Sequence, residues 1–146
     1  MAVSPIDEIV GECLAVRVRL IGRAVTALYD GALETHGLSI AQVNLLAALG
    51  KIGPCPPVRL GEVLHLERST VSRNLNLLRK HGWIEAVSSD AKGVREIALT
   101  RAGQKKVESV MPDWRRAQEE AALLLGTGGV KMVRTIANSF GHIPVD

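Results

Sequence analysis

The apolar positions of this chain fall into helical rows over most of its length, interrupted by one short alternating stretch. From Ile6 to His36, Leu14, Val18, Ile21, Val25, Leu28 and Ala32 recur at 4-3-4-3-4 spacing, a stripe along one helix face. A second row of Cys13, Val16, Leu20, Ala24 and Ala27 lies beside it, leaving a polar seam of Glu8, Glu12, Arg19, Arg23, Thr26 and Asp30. So wide an apolar surface exceeds what one small domain covers, and packing against a partner helix completes it. Gly37 stops the pattern, and Ser39 caps a second helix through about Leu49. The stretch from Gly50 to Pro57, with three prolines and two glycines, reads as a loop.

Pro57 suits the first turn of a short helix whose buried face is Leu60, Val63, Leu64 and Leu66. Gly61 falls where two helices of a helix-turn-helix cross closely. Glu67 and Arg68 make the turn, and the next helix, about Ser69 to His81, buries Val71, Leu75 and Leu78. At 100° per residue its outer face is centred on Ser69, Arg73, Asn76 and Lys80, with Ser72 and Thr70 on the flanks. Asn74 rotates closer to the core than Asn76. Gly82 ends this helix, and Trp83–Val87 and Val94–Leu99 read as two strands joined by a turn over residues 88–93. Thr100 caps a long helix to about Leu125 with a kink expected at Pro112, and its apolar row is Val107, Met111, Trp114, Ala121 and Leu125. Gly126-Thr127-Gly128-Gly129 reads as a connector to a last helix carrying Val130, Val133, Ile136, Ala137 and Phe140.

Two short helices followed by a hairpin is the element order of a winged helix-turn-helix. The fold class is therefore mainly α with a small β-hairpin wing (α+β). Its expected organisation is an N-terminal dimerisation helix over 1–37, a winged helix-turn-helix over 38–103, and C-terminal dimerisation helices over 104–146. These form one compact chain and a homodimer.

Composition fits this picture. The 146 residues are 47% hydrophobic and 23% charged, as in a globular domain, and only 3% aromatic, which leaves the core to aliphatic side chains. No apolar run approaches a membrane span and no basic leader precedes an apolar stretch, so a cytoplasmic protein is expected. The net charge of +3 is unevenly spread. Residues 59–106 carry ten basic and five acidic groups, a net +5, while each flank holds four basic and five acidic groups. A basic middle between near-neutral ends points to one surface that meets a polyanion, with a solvated helix face as the alternative.

The segment Leu60-Gly61-Glu62-Val63-Leu64-His65-Leu66-Glu67-Arg68-Ser69-Thr70-Val71-Ser72-Arg73-Asn74-Leu75, then Gly82-Trp83-Ile84 and Leu99-Thr100-Arg101-Ala102-Gly103, resembles the MarR family of transcription regulators. The resemblance extends to Arg23, Thr26, Tyr29-Asp30 and Gly37-Leu38-Ser39 in the first third, and to Pro112-Asp113-Trp114. It implies a homodimer that represses transcription from near-palindromic operators, with a recognition helix in the major groove and a wing toward the minor groove. It also implies release by a small phenolic ligand or an oxidant. One departure lies in the wing, which usually carries Asp-x-Arg in the family and here reads Asp90-Ala91-Lys92. Lysine lacks the planar fork of arginine.

The residue types then assign DNA contacts. Ser69, Thr70 and Ser72 sit near the helix start, where hydroxyls and free backbone N–H groups hold phosphate or reach base edges. Arg73 either takes a guanine bidentately or clamps a phosphate, and Asn76 is the adenine reader. Lys80, Lys92 and Arg95 add non-specific affinity. Against these stand Ser69 as a simple helix cap and Arg73 as a solvated or internally paired charge.

Other candidates carry less. Cys13 is either a redox sensor of the kind one branch of the family places in its first helix or an ordinary packing cysteine. Cys55, between two prolines, reads as an exposed loop thiol. Trp114 with Arg17 or Arg19 is a candidate lining for a ligand pocket between the dimer helices and the reading head, against a core tryptophan and solvated arginines as the alternative. His36, His65, His81 and His142 lack metal-ligand spacing, and no phosphate loop, HExxH or nucleophile elbow occurs. No enzyme, metal or cofactor is expected. A second function class remains: a winged-helix interaction module that binds protein or DNA without sequence preference and senses nothing.

Overall fold

The computed structural model describes residues 2–88, 93 and 95–141. The chain forms helices α1 (Pro5–Glu12) and α2 (Leu14–Leu33), a single 3₁₀ turn (Glu34–His36), and helices α3 (Ile40–Ile52), α4 (Pro57–Leu64) and α5 (Arg68–Lys80). Strands β1 (Ile84–Ser88) and β2 (Arg95–Leu99) follow, then helix α6 (Arg101–Ser139). No helix among the described residues is long and apolar enough to cross a membrane.

The first helical pattern is broken where periodicity gave no warning. Cys13 adopts an extended conformation (φ −62°, ψ 111°) between α1 and α2. Arg17 of α2 reaches back to donate to the carbonyls of Cys13, at 3.1 Å, and Gly11. It thereby supplies partners for carbonyls that the end of α1 leaves open. The apolar stripe also divides in two. Leu14, Val18 and Ile21 are exposed, whereas Val25, Leu28 and Ala32 are half-buried where α2 lies along α6, and Leu33 enters the core.

A capping box starts α3: the Ser39 hydroxyl accepts from the Gln42 N–H, and the Gln42 side chain accepts from the Ser39 N–H. This helix runs to Ile52, so the expected loop shrinks to residues 53–56. Cys55 within it is buried, not exposed, because its backbone pairs with Ile97 on the outer side of β2 (Cys55 N to Ile97 O 3.1 Å, Ile97 N to Cys55 O 2.9 Å). The hairpin registers Ile84 with Leu99 and Ser88 with Arg95, so Ile84 and Ile97 drop into the core.

Leu33, Leu45, Leu46, Leu49, Leu60, Leu78, Ile84, Ile97 and Val110 are essentially inaccessible to water. Each such side chain contributes about 1.5–3 kcal/mol of burial. The core thus joins α3, α4, α5 and the hairpin to α6. On α6 the buried residues are Gly103, Val110, Ala117 and Ala121. The row expected from the sequence, with Val107, Met111 and Trp114, forms the half-buried edge of that face. The helix continues through Pro112, and its non-helical residue is Gly126 (φ 73°, ψ 167°). A left-handed φ of this kind is open to glycine at little cost. Residues 103 and 104, where the head was expected to give way to the dimerisation helices, lie in the first turn of α6.

Candidate nucleic-acid interface

The helix-turn-helix is built from α4, α5 and the residues between them. Pro57 opens α4 at a position that lacks an intrahelical acceptor in any case. The helix ends at His65 in the left-handed region (φ 53°), and the Leu66 N–H returns to the Gly61 carbonyl at 2.9 Å. A methyl group on Gly61 would sit 3.3 Å from the Leu66 oxygen and 3.5 Å from Val71 Cγ2. The small residue lets the two helices cross closely, as its position in the sequence implied.

Glu67, not Ser69, is the N-cap of α5, and its side chain makes no capping bond. The first intrahelical bond is Val71 N–H to Glu67 O at 3.0 Å. The N–H groups of Arg68, Ser69 and Thr70 are thus left without helical partners at the positive end of the helix dipole. Val71, Leu75 and Leu78 face the core. Ser69, Ser72, Arg73, Asn76 and Lys80 are exposed, and Thr70 is half-buried. Among the described residues Arg73 makes no ion pair. Asn74 turns inward as expected, donating to the Thr70 carbonyl (3.0 Å) and accepting from Gln42 (3.3 Å).

The wing stands against the end of α5. Trp83 N–H donates to Leu78 O (3.1 Å), Thr100 N–H to Trp83 O (3.1 Å), and the Thr100 hydroxyl to Gly82 O (2.7 Å). The Trp83 ring stacks on His81 at 4.4 Å, and Lys106 Nζ lies 5.0 Å from its centre on α6. Arg95 is exposed at the start of β2. Asp90 and Lys92, expected at the wing tip, and His142 lie outside the described residues.

The junction between head and long helices holds several polar links that periodicity did not reveal. His36 Nε2 meets Asp113 Oδ2 at 2.6 Å, joining the 3₁₀ turn to α6, and Arg116 pairs with the same carboxylate. The hydrogen bond from His36 holds the Asp113 carboxyl below the usual carboxylate range, a smaller desolvation effect opposes it, and the Arg116 charge adds to the lowering. The Tyr29 hydroxyl donates to Gln118, and its ring lies 6.2 Å from that of Trp114. Burial raises the Tyr29 phenol.

The pocket candidates Arg17 and Trp114 are not brought together. Arg17 and Tyr29 are twelve residues apart on α2, roughly 18 Å along its axis, so Arg17 stands far from Trp114. Cys13 is half-exposed at the break between α1 and α2, while Cys55 is buried in the head. Burial raises the Cys55 thiol, Glu96 adds to the rise, and Arg59 partly opposes it.

A helix-turn-helix with an exposed polar face, buttressed by a two-stranded wing and carried on long helices, is a winged helix-turn-helix. The model of the MarR family matches residues 36–93, which span α3 to the wing. The HTH-type transcriptional regulator YwoH of Bacillus subtilis (strain 168) is 28% identical over 98 residues, covering 67% of this chain and 72% of that protein. Among solved structures, the Mycobacterium tuberculosis regulator MosR in complex with DNA superimposes with a TM-score of 0.74 at 28% identity. The match covers 88% of this chain and 94% of MosR. A mutant MarR from Escherichia coli complexed with operator DNA gives a TM-score of 0.79 at 18% identity, over 94% of this chain and 98% of that one. The chain is thus similar to MarR-family transcriptional regulators in the sequence of its head and in its fold.

Proposed function

We propose that this chain is a sequence-specific DNA-binding regulator that acts as a homodimer on a near-palindromic operator. The observation that carries the reading is the face of α5. Ser69, Arg73, Asn76 and Lys80 project outward, backed by Val71, Leu75 and Leu78, and nothing in the described chain neutralises Arg73. A helix of this width fits the major groove, which is about 12 Å wide. Arg73 then reads a guanine and Asn76 an adenine, each bidentate contact worth about 1–3 kcal/mol of discrimination. The uncapped N–H groups at the start of α5, with Ser69, Thr70 and Ser72, hold phosphate. Lys80 and Arg95 add salt-sensitive attraction. The DNA complexes of MosR and of MarR support this placement by likeness of fold.

The homodimer is supported by what the single chain leaves uncovered. Among the described residues, and except for Val58 and Leu77, the exposed large hydrophobic side chains lie in two regions, residues 3–21 and 123–140. These are the N-terminal helices and the far half of α6, the expected dimerisation segments. A monomer would show water an apolar surface far beyond scattered single residues. A second copy of the same chain covers it under two-fold symmetry, which sets two α5 helices to face half-sites about 34–36 Å apart. Repression relieved by a small phenolic or by an oxidant acting at Cys13 rests on the family likeness alone.

Selection from a random duplex pool tests the function. The expected outcome is enrichment of an inverted repeat with one helical turn between half-site centres. Recovery of no preferred sequence, with equal affinity for all duplexes at moderate salt, would instead establish the non-specific interaction module.

A further inference from the structure

Burial of Val71, Leu75 and Leu78 sets which face of α5 meets the core, but such contacts are non-directional and leave the last degrees of rotation about its axis open. A set of hydrogen bonds fixes them. Gln42, in the first turn of α3, uses both ends of its amide: Oε1 accepts from Ser39 N–H (3.0 Å) and Nε2 donates to Asn74 Oδ1 (3.3 Å). Asn74 in turn donates from Nδ2 to the Thr70 carbonyl (3.0 Å). Behind Gln42, Asp30 of α2 accepts from Ile40 N–H at 2.8 Å, which ties the start of α3 to the long N-terminal helix. Gln42, Asn74 and Asp30 are all half-buried. The amide orientations are mutually fixed, since turning either one would set donor against donor or acceptor against acceptor.

We propose that Gln42 and Asn74 are positioning residues for the recognition helix, linking its rotation to α2 through the start of α3. The proposal rests on the reading of α5 as the helix that meets DNA. A rotation of about 15° moves a group at the outer radius of a helix, about 5–6 Å from its axis, by roughly 1.5 Å. That displacement separates Arg73 and Asn76 from bidentate geometry while leaving Val71, Leu75 and Leu78 buried. Asn74 thus contributes to sequence preference without touching a base.

The test uses the full-length protein and the best duplex recovered by selection. Gln42→Glu keeps the acceptor for Ser39 N–H, and so the capping box, but removes the donor to Asn74; a carboxylate there also suits the helix dipole. Its affinity for that duplex should fall about three- to tenfold, the scale of one directional hydrogen bond, with a flatter preference at the bases facing α5. Asn74→Ala should do the same, and the double variant should lose no more than the worse single one. Unchanged affinity and preference in Gln42→Glu, or losses that add in the double variant, would overturn the proposal. Amide hydrogen exchange on the DNA-free protein separates this failure from that of the functional reading. The link requires faster exchange in α5 than in α4 when Gln42→Glu is compared with the parent, and equal exchange removes it. A parent protein that binds all duplexes alike, with α5 exchange still responding, would sink the DNA-reading assignment and leave the link standing.

Discussion

The joint between the recognition helix, the wing and α6 is where a single methyl group should matter most. Gly103 is buried at the third position of α6, directly against Trp83. A Cβ there would fall inside any tolerable distance of the Trp83 carbonyl oxygen, 2.7 Å from Leu99 Cδ1 and 3.0 Å from Trp83 C. The Leu99 side chain can turn aside, but the Trp83 peptide cannot. Its carbonyl accepts from Thr100 N–H, and its N–H closes onto Leu78. Relief therefore requires moving the wing relative to α6. Overpacking of this kind costs about 1–3 kcal/mol, and the rigid backbone places Gly103→Ala at the upper end. Replacing a helical glycine returns at most about 1 kcal/mol, which leaves a net loss of about 2 kcal/mol. For a chain of this length that is a fall in Tm of about 5–8 °C at fixed protein concentration. Gly61→Ala is the matched control, since its contacts of 3.3 and 3.5 Å need shifts of only a few tenths of an ångström. The helix-propensity gain then offsets the crowding, and Tm should stay within about 3 °C of the parent. Thermal unfolding by circular dichroism reads both. A Gly103→Ala variant as stable as the parent, or a Gly61→Ala variant that loses as much, would refute the reasoning.

Further outcomes follow from the junction and the uncovered surfaces. Because the His36 bond lowers the Asp113 carboxyl, its stabilisation is present above the ordinary carboxylate range and is lost as pH falls through the lowered folded value. Asp113→Asn should therefore reduce Tm at pH 6 and converge with the parent in strong acid; equal curves at all pH values would remove the link. Cys55, buried and with its thiol raised, should react with iodoacetamide at least about tenfold more slowly than half-exposed Cys13. Equal labelling rates in the folded protein, read by mass spectrometry, would contradict the pairing of Cys55 with Ile97. Val18→Asp, placed on the exposed stripe of α2, should shift the protein from dimer to monomer in sedimentation velocity. A parent protein that already sediments as a monomer at micromolar concentration would sink the dimer reading.

How far the sequence carried depended on whether a feature was local. The outer and inner faces of α5 were legible because Val71, Leu75 and Leu78 repeat at helical spacing and leave the polar residues opposite. Gly61 was legible for a similar reason: its place between two short helices implies close crossing. The break at Cys13 was hidden because apolar residues keep their rhythm across it. On α6 the row of large residues dominates the pattern, whereas the most buried positions include Gly103 and Ala117, which carry little hydropathic signal. Cys55 was misplaced because its burial comes from backbone pairing with a strand more than forty residues away. The polar links were beyond reach altogether. His36 meets Asp113 and Gln42 meets Asn74 across 77 and 32 residues, and no periodicity connects such partners.

The central claim is that α5 reads bases through Arg73. Fluorescence anisotropy of the parent and of Arg73→Ala, on the selected duplex and on a scrambled one at moderate salt, measures it most directly. The account predicts that Arg73→Ala loses about 5- to 150-fold on the selected duplex, corresponding to about 1–3 kcal/mol. On the scrambled duplex it should lose much less, and the dimer should remain intact. Equal affinity of parent and variant for the selected duplex would contradict the account.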